Sequence, residues 1–420
     1  MEKRAITQPA NALLPGAGFV TEKLLSPREA LEVFFARVTP PAPAVEYVPL
    51  DAATWRVLAR DVDADDDYPN SVRSAMDGFA LRAAETPGDF AIAGTVRMGE
   101  FPADIGCGQT MAIPTGGSLP AGADAVVPIE DVARSGPTLR VAVRLAAGEN
   151  AIPRAADMRR GETILRAGTR IAAPQAGVLA TLGIVDVPVF CRPLVGVLSG
   201  GDELVAVSAS PSGGRVRDSN RYAIAASLRA MGARVRHYPR IGDEPGECER
   251  ALRKALRECA AVAMSGGSSV GERDRLPAAV VALGEPGIIV HGLRIKPGKP
   301  ALLGAFGDRP ILGLPGNPAS ALLVLEAVLA PIVAALVGAA PIVSTVAARL
   351  VQPARGRAGW TGYLPVRLRH EGAEATAEPL PLRSFSASLA ARADGYLVMD
   401  EPDEEWPAGT PVTVHRFLGG

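Results

Sequence analysis

Four stretches between residues 199 and 274 combine glycine, hydroxyl and carboxylate side chains. They are Ser199-Gly200-Gly201-Asp202-Glu203, Arg217-Asp218-Ser219-Asn220, Asp243-Glu244, and the run from Ser265-Gly266-Gly267-Ser268 to Asp274. Glycine lets backbone amides approach a phosphate closely, and serine hydroxyls add donors. Ser219 or Asn220 is expected to cap the helix that follows, leaving N–H groups free for an anion. If Asp202, Glu203, Asp243 and Asp274 converge, each pair about 4 Å apart repels by about 4 kcal/mol at an effective dielectric of about 20. Such a cluster needs a cation or raised pKa values, and oxygen-ligated Mg²⁺ beside a substrate phosphate is the economical cation. The chain has five lysines against thirty-nine arginines, and two of the five fall in Lys296-Pro297-Gly298-Lys299-Pro300. Lysine is a compact point charge, so this pair fits an oxyanion or phosphate.

Other chemistries fit less well. There is no GxxxxGK[ST] loop and no GxGxxG fingerprint. A Ser–His–Asp hydrolase is also disfavoured. The four histidines, His237, His291, His370 and His415, are too widely spaced to suggest a zinc site. Lys plus Arg is 44 against 45 for Asp plus Glu, which gives no bulk charge for nucleic acid or an anionic membrane. Cys107, Cys191, Cys248 and Cys259 form no CxxC pair and read as reduced thiols of a cytoplasmic protein.

These loops need elements to hold them. With 420 residues, 48% hydrophobic and 21% charged, the chain is globular and exceeds one core, since single cores stop growing at roughly 250–300 residues. Residues 1–21 read as a loose tail without a continuous apolar stretch. Ser26-Pro27-Arg28-Glu29 is a capping box that opens a helix, and a second helix is expected near Leu50 to Val62. Short strand-like runs separated by Gly and Pro fill residues 68–147, a small β domain. Segments 22–67 and 148–190 form a mixed linking domain. From 191 to 338 strands alternate with helices of about ten residues, which predicts a doubly wound α/β domain with its crevice at the carboxyl ends of the strands. The apolar run from Ala319 to Val343 is interrupted by Glu326, Pro331 and Pro341, and reads as a helix buried against the sheet. Residues 339–420 return to short strands, a C-terminal β-barrel domain. The fold class is therefore α/β plus β, in several domains.

Taken together, the strings resemble those of the MoeA-type molybdopterin molybdenumtransferases, the family that includes the E domain of gephyrin. Ser74-Ala75-Met76-Asp77-Gly78-Phe79-Ala80 resembles SAMDGYA, and Ser199 to Leu204 resembles STGDEL. Asp218-Ser219-Asn220 is similar to D[ST]N, and Ser265 to Asp274 to SGGVSVGExD. Lys296 to Pro300 and Gly313 to Pro318 contain PGKP and GLPGNP. The six follow in family order. Departures are Phe79 for Tyr, Gly200 for Thr, Gly292 where some members carry Lys, and Arg275-Leu276 for an aromatic–Thr/Lys pair.

The resemblance implies a MogA-like α/β domain, an inserted-type N-terminal β domain and a barrel. It implies that molybdate is inserted into adenylated molybdopterin with release of AMP, aided by Mg²⁺. It places functional carboxylates at Asp77, Asp157, Glu203, Asp243 and Asp274. Substrate contacts are expected from Thr115, Arg154, Asp218, Ser219, Asn220, Ser265, Gly266, Gly267 and Ser268. Lys296, Lys299 and Pro315-Gly316-Asn317-Pro318 complete that set, and Asp202, Glu203, Asp243 and Asp274 are the candidate Mg²⁺ ligands. It also implies a homodimer, with other proteins of molybdenum cofactor synthesis as partners and neither nucleic acid nor membrane. A scaffold or cofactor carrier of the same fold, a tungstate-inserting paralogue and an adenylyltransferase of related α/β ancestry remain as alternatives.

Overall fold

A computed structural model describes residues 24–267, 275–371, 374–381, 387–400 and 405–418. Ser268, Asp274 and the tail 1–21 lie outside the described residues. The chain divides into two compact units, one comprising residues 60–169 and 173–185 and the other the rest.

The larger unit holds a six-stranded sheet in the order Arg234–His237, Leu194–Ser199, Ala261–Ser265, Arg309–Leu314, Leu302–Phe306, Pro286–His291. The first four strands are parallel, and Leu302–Phe306 runs antiparallel to both its neighbours. Alternate residues leave opposite faces of a strand, so the sheet feeds two cores. Val195, Val197, Ala263 and Leu312 pack with Ile224 and Leu228 of the Asn220–Ala230 helix. Leu198, Val262, Met264 and Ile311 pack with the Glu247–Glu258 and Arg275–Leu283 helices. This is the doubly wound arrangement that the alternation of strands and helices predicts.

The apolar run after Pro318 is broken rather than continuous: Pro318–Leu323, a π turn over Val324–Val328, and Ala330–Val337, with a bend of 55°. Leu325, Leu329 and Ile332 are fully buried in the first core. Among the described residues no single helix is long and apolar enough to cross a membrane. The Ser26 capping box forms as expected: the Glu29 amide donates to Ser26 Oγ, and the Ser26 amide donates to Glu29 Oε2 at 2.7 Å. None of the four cysteines is disulfide-bonded.

The C-terminal strands close on themselves. Thr361–Glu371, Glu374–Pro379, Thr345–Leu350, Pro411–Arg416 and Gly395–Met399 follow in order, and the last pairs back with the first. Closure leaves this five-stranded barrel without an open edge. A short strand, Ile295–Lys296, joins Thr361–Glu371 in parallel.

The smaller unit is built on the six-stranded sheet Ala125–Pro128, Gly78–Leu81, Gln109–Ile113, Gly88–Thr95, Thr138–Val141, Val132–Ser135. Its core includes Phe79, Leu81, Phe90, Val127 and Leu139. The helix expected over 50–62 is absent. After a 3-10 turn at Leu50–Ala52, Trp55 takes a left-handed backbone (φ 63°). Val57 and Leu58 then bridge to Arg170 and Val189, and Val62 pairs with Leu165. Partners more than a hundred residues away override the local helical pattern.

Candidate functional site

The carboxyl ends of the parallel strands open onto one cleft of about 330 Å³. Its floor is backbone. Gly200 and Gly201 follow Leu194–Ser199, Gly266 and Gly267 follow Ala261–Ser265, and Gly316 follows Arg309–Leu314. The two paired turns are locked together: the Gly200 amide donates to Ser265 O at 3.0 Å, and a Cβ on Gly266 (φ 84°) would collide with Gly200 O. Only glycine fits there. Gly201 likewise leaves room for the Glu203 carboxylate to fold over its α-carbon.

Beneath this floor the strand ends are tied by buried polar side chains. Ser199 Oγ donates to Asp218 Oδ1 at 3.0 Å. Asn220 Nδ2 donates to Ser265 Oγ at 2.6 Å and to Gly316 O at 2.8 Å. Ser199, Asp218 and Ser265 are all at most 4% exposed, so these groups bind one another rather than face solvent. Asp218 Oδ2 and Asn220 Oδ1 have no hydrogen-bond partner among the described residues. Ser219 is not the side-chain cap that its position suggests: its own backbone is already helical (φ -83°, ψ -32°), which turns Oγ away from the free amides. Asp218 Oδ1 takes a long bond from the Arg221 amide instead. Asn317 does cap, accepting from the Ser320 amide and hydroxyl at 3.1 Å each, with Pro318 in the first turn.

Charge gathers at the rim. Glu203 and Asp243 line the cleft, whereas Asp202 braces the turn below by accepting from the Asp243 amide at 3.1 Å. Among the described residues no three Asp, Glu, His or Cys side chains converge as a metal-binding set. Lys296 and Lys299 are exposed and do not line the cleft, although Pro300 of the same turn does. Gly298 (φ 112°) makes that turn possible, since a Cβ would strike Val324 and Ile295. Among the described residues the basic one that does line the cleft is Arg275, whose Nε donates to Asp243 O at 3.2 Å.

The smaller unit brings together two further residues from the list. The Thr115 amide and hydroxyl both donate to Asp77 Oδ1, at 2.7 and 2.9 Å. These two bonds hold the Asp77 carboxyl below its ordinary range. Gly78 anchors the loop: Phe79 pairs with Val127, and a Cβ at 78 would collide with Val127 O. Arg154 and Asp157 leave the opposite end of the Arg73–Ser74/Ala151–Ile152 ladder. Arg154 Nε pairs with Asp67 Oδ2 at 2.7 Å, and exposed Asp157 donates its amide to Tyr68 O. The Arg160 amide, more than Arg154, keeps the Asp67 carboxyl below its usual range.

Three family models match in succession: the MoeA N-terminal region (domain I and II) over 25–183, a probable molybdopterin binding domain over 196–335, and the MoeA C-terminal region (domain IV) over 347–417. A molybdopterin molybdenumtransferase of Synechocystis sp. is 33% identical over 86% of this chain and 92% of that protein. The chain belongs to the MoeA family. A molybdopterin molybdenumtransferase of Bacillus subtilis is 29% identical over 88% of this chain and 89% of its own length. The MoeA protein of Pyrococcus horikoshii OT3 superposes with a TM-score of 0.82 at 26% identity, over 94% of this chain and all of that structure. Membership assigns the chain to molybdenum cofactor biosynthesis. Every described residue that lines the cleft falls within the stretch matched by the molybdopterin-binding model.

Sequence reasoning placed positive charge in the lysine turn and treated Arg275 as a departure from the family. The available signal was a cation directly after the glycine-rich run from Ser265 to Asp274.

Proposed function

We propose that this chain inserts molybdate into adenylated molybdopterin and releases AMP. The observation that supports it is the glycine-floored cleft with Glu203 and Asp243 on its rim, in the molybdopterin-binding stretch of a MoeA chain. The Gly200–Gly201 and Gly266–Gly267 turns would let the phosphates approach the main chain closely, with the Gly267 amide as donor, since the amides of Gly200, Gly201 and Gly266 already donate to Ser265 O, Ile241 O and Leu314 O. The dithiolene thiols displace oxygens of molybdate as water, and a water molecule splits the phosphoanhydride to free AMP, so the protein needs no nucleophile of its own. Its work is to orient the adenylate, meet charge and admit molybdate.

The donor chemistry suits Mg²⁺: Glu203 and Asp243 offer hard oxygen ligands, and substrate phosphate with water would complete the six positions. Bound there, Mg²⁺ would neutralise charge developing on the departing AMP. Asp202 would keep the Asp243 turn in place, and Asp274 is a further candidate ligand. Asp77, set by Thr115, together with Arg154 and Asp157 are the further candidate functional residues, carried by the smaller unit. Lys296 and Lys299 would meet anions arriving from solvent. The family resemblance supports a homodimer in which the N-terminal region of a second copy completes the cleft, and unpaired thiols fit a cytoplasmic setting.

The test is AMP release from adenylated molybdopterin with Mg²⁺ and either molybdate or tungstate. Molybdate-dependent release is expected, and Glu203→Gln and Asp274→Asn should each lower it by about 100-fold with the fold intact. Wild-type turnover in those variants would overturn the carboxylate roles. Tight adenylate binding without release would favour a carrier, and release only with tungstate would change the metal.

A further inference from the structure

We infer that Arg275 is a phosphate-gripping, specificity-determining residue of the cleft. This deepens the adenylate reading above and rests on it. Of the described residues that line the cleft, Glu203 and Asp243 are acidic, Arg275 alone is basic, and the remainder are uncharged. An anionic phosphate entering beside two carboxylates needs a fixed positive charge, and the two lysines stand outside the lining.

Three features make Arg275 that charge. It is half-buried, so its field is less screened than that of an exposed lysine. Its Nε is anchored on Asp243 O, which fixes the plane of the guanidinium. Among the described residues the Arg275 side chain makes only this Nε bond, which leaves both terminal nitrogens to meet an incoming group. A planar fork of this kind matches two oxygens of one phosphate.

Its placement directs that charge at the glycine floor: the next residue, Leu276, donates its amide to Gly267 O at 3.2 Å, which holds Arg275 beside the Gly266–Gly267 turn.

The experiment measures binding of inorganic pyrophosphate and of adenosine to the full-length protein by calorimetry, for wild type, Arg275→Gln and Arg275→Lys. Wild type should bind pyrophosphate with a marked salt dependence. Arg275→Gln should weaken it at least tenfold and flatten the salt slope, and Arg275→Lys should recover only part. Adenosine binding and the thermal midpoint should not fall, whereas a purely structural role would lower the midpoint. Equal pyrophosphate affinity in wild type and Arg275→Gln, or none in wild type, overturns the inference. The AMP-release assay separates the two failures. Molybdate-dependent release with an unchanged KM in Arg275→Gln sinks this role and leaves the proposed reaction standing. Loss of pyrophosphate binding together with no AMP release from wild type does the reverse.

Discussion

The cleft of the larger unit and the Asp77 loop of the smaller one hold carboxylates by different means. In the cleft, main chain does the shaping: glycine turns follow successive strands, and Asn220 ties two strand ends by bonding Ser265 and Gly316 at once. The Asp77 carboxylate is exposed and set by one neighbour, Thr115, through two short bonds. The first site is a property of the sheet and cannot be altered at one point without disturbing several strands. The second is local, and its electrostatics can be retuned by one side chain. What the loop cannot lose is its glycine anchor.

Gly78→Ala probes that anchor and should have the largest effect. A Cβ against Val127 O forces the two strands apart, at a cost of about 3 kcal/mol. Calorimetry should show the smaller unit melting early, and an unchanged profile would mean the loop is not anchored there. Asn220→Ala tests the tie in the cleft. It takes a donor from the Gly316 carbonyl and from the Ser265 hydroxyl, which keeps only its long bond to Pro315 O, and about 2 kcal/mol should be lost in denaturant titration. A loss below a few tenths would make the tie incidental and the contrast between the units false.

Thr115→Val should have the smallest effect, and it is electrostatic. Because the folded Asp77 value lies below the unfolded one, its contribution to stability is complete above the ordinary carboxylate range and is lost as pH falls through the lowered folded value. Removing the hydroxyl leaves the stronger amide bond, so the Asp77 carboxyl should titrate at higher pH than in wild type, yet still below the ordinary range. Carbon-detected NMR of the Asp77 carboxyl reads this directly. An unmoved titration would show that the hydroxyl contributes nothing.

Much of this organisation was legible in the sequence because it is local. The Ser26 box and the Asn317 cap depend on residues three apart, and glycine after a strand marks a turn wherever the strand ends up. What escaped depends on distant partners. The segment 50–62 looks helical until Arg170 and Val189 are beside it. Ser219 looks like a cap until its backbone turns helical one residue early. The apolar run after Pro318 carries Glu326 as its one charge, and a single charge in an apolar stretch does not tell a π turn over Val324–Val328 from a regular helix. The lysine turn and Arg275 compete for the same role on composition, and burial distinguishes them.

The strand Ile295–Lys296 has a wider meaning. In sequence it falls inside the α/β domain, yet its hydrogen bonds run to Thr361 and Gly362 of the barrel. The lysine turn is therefore stitched to a module that begins some fifty residues later. A graft of the α/β segment into another protein, cut near residue 338, would carry the lysines but leave their backing strand behind. Recombination at that seam would preserve the glycine-floored cleft and unmoor the positive charge beside it, so the C-terminal barrel has to travel with the segment it follows.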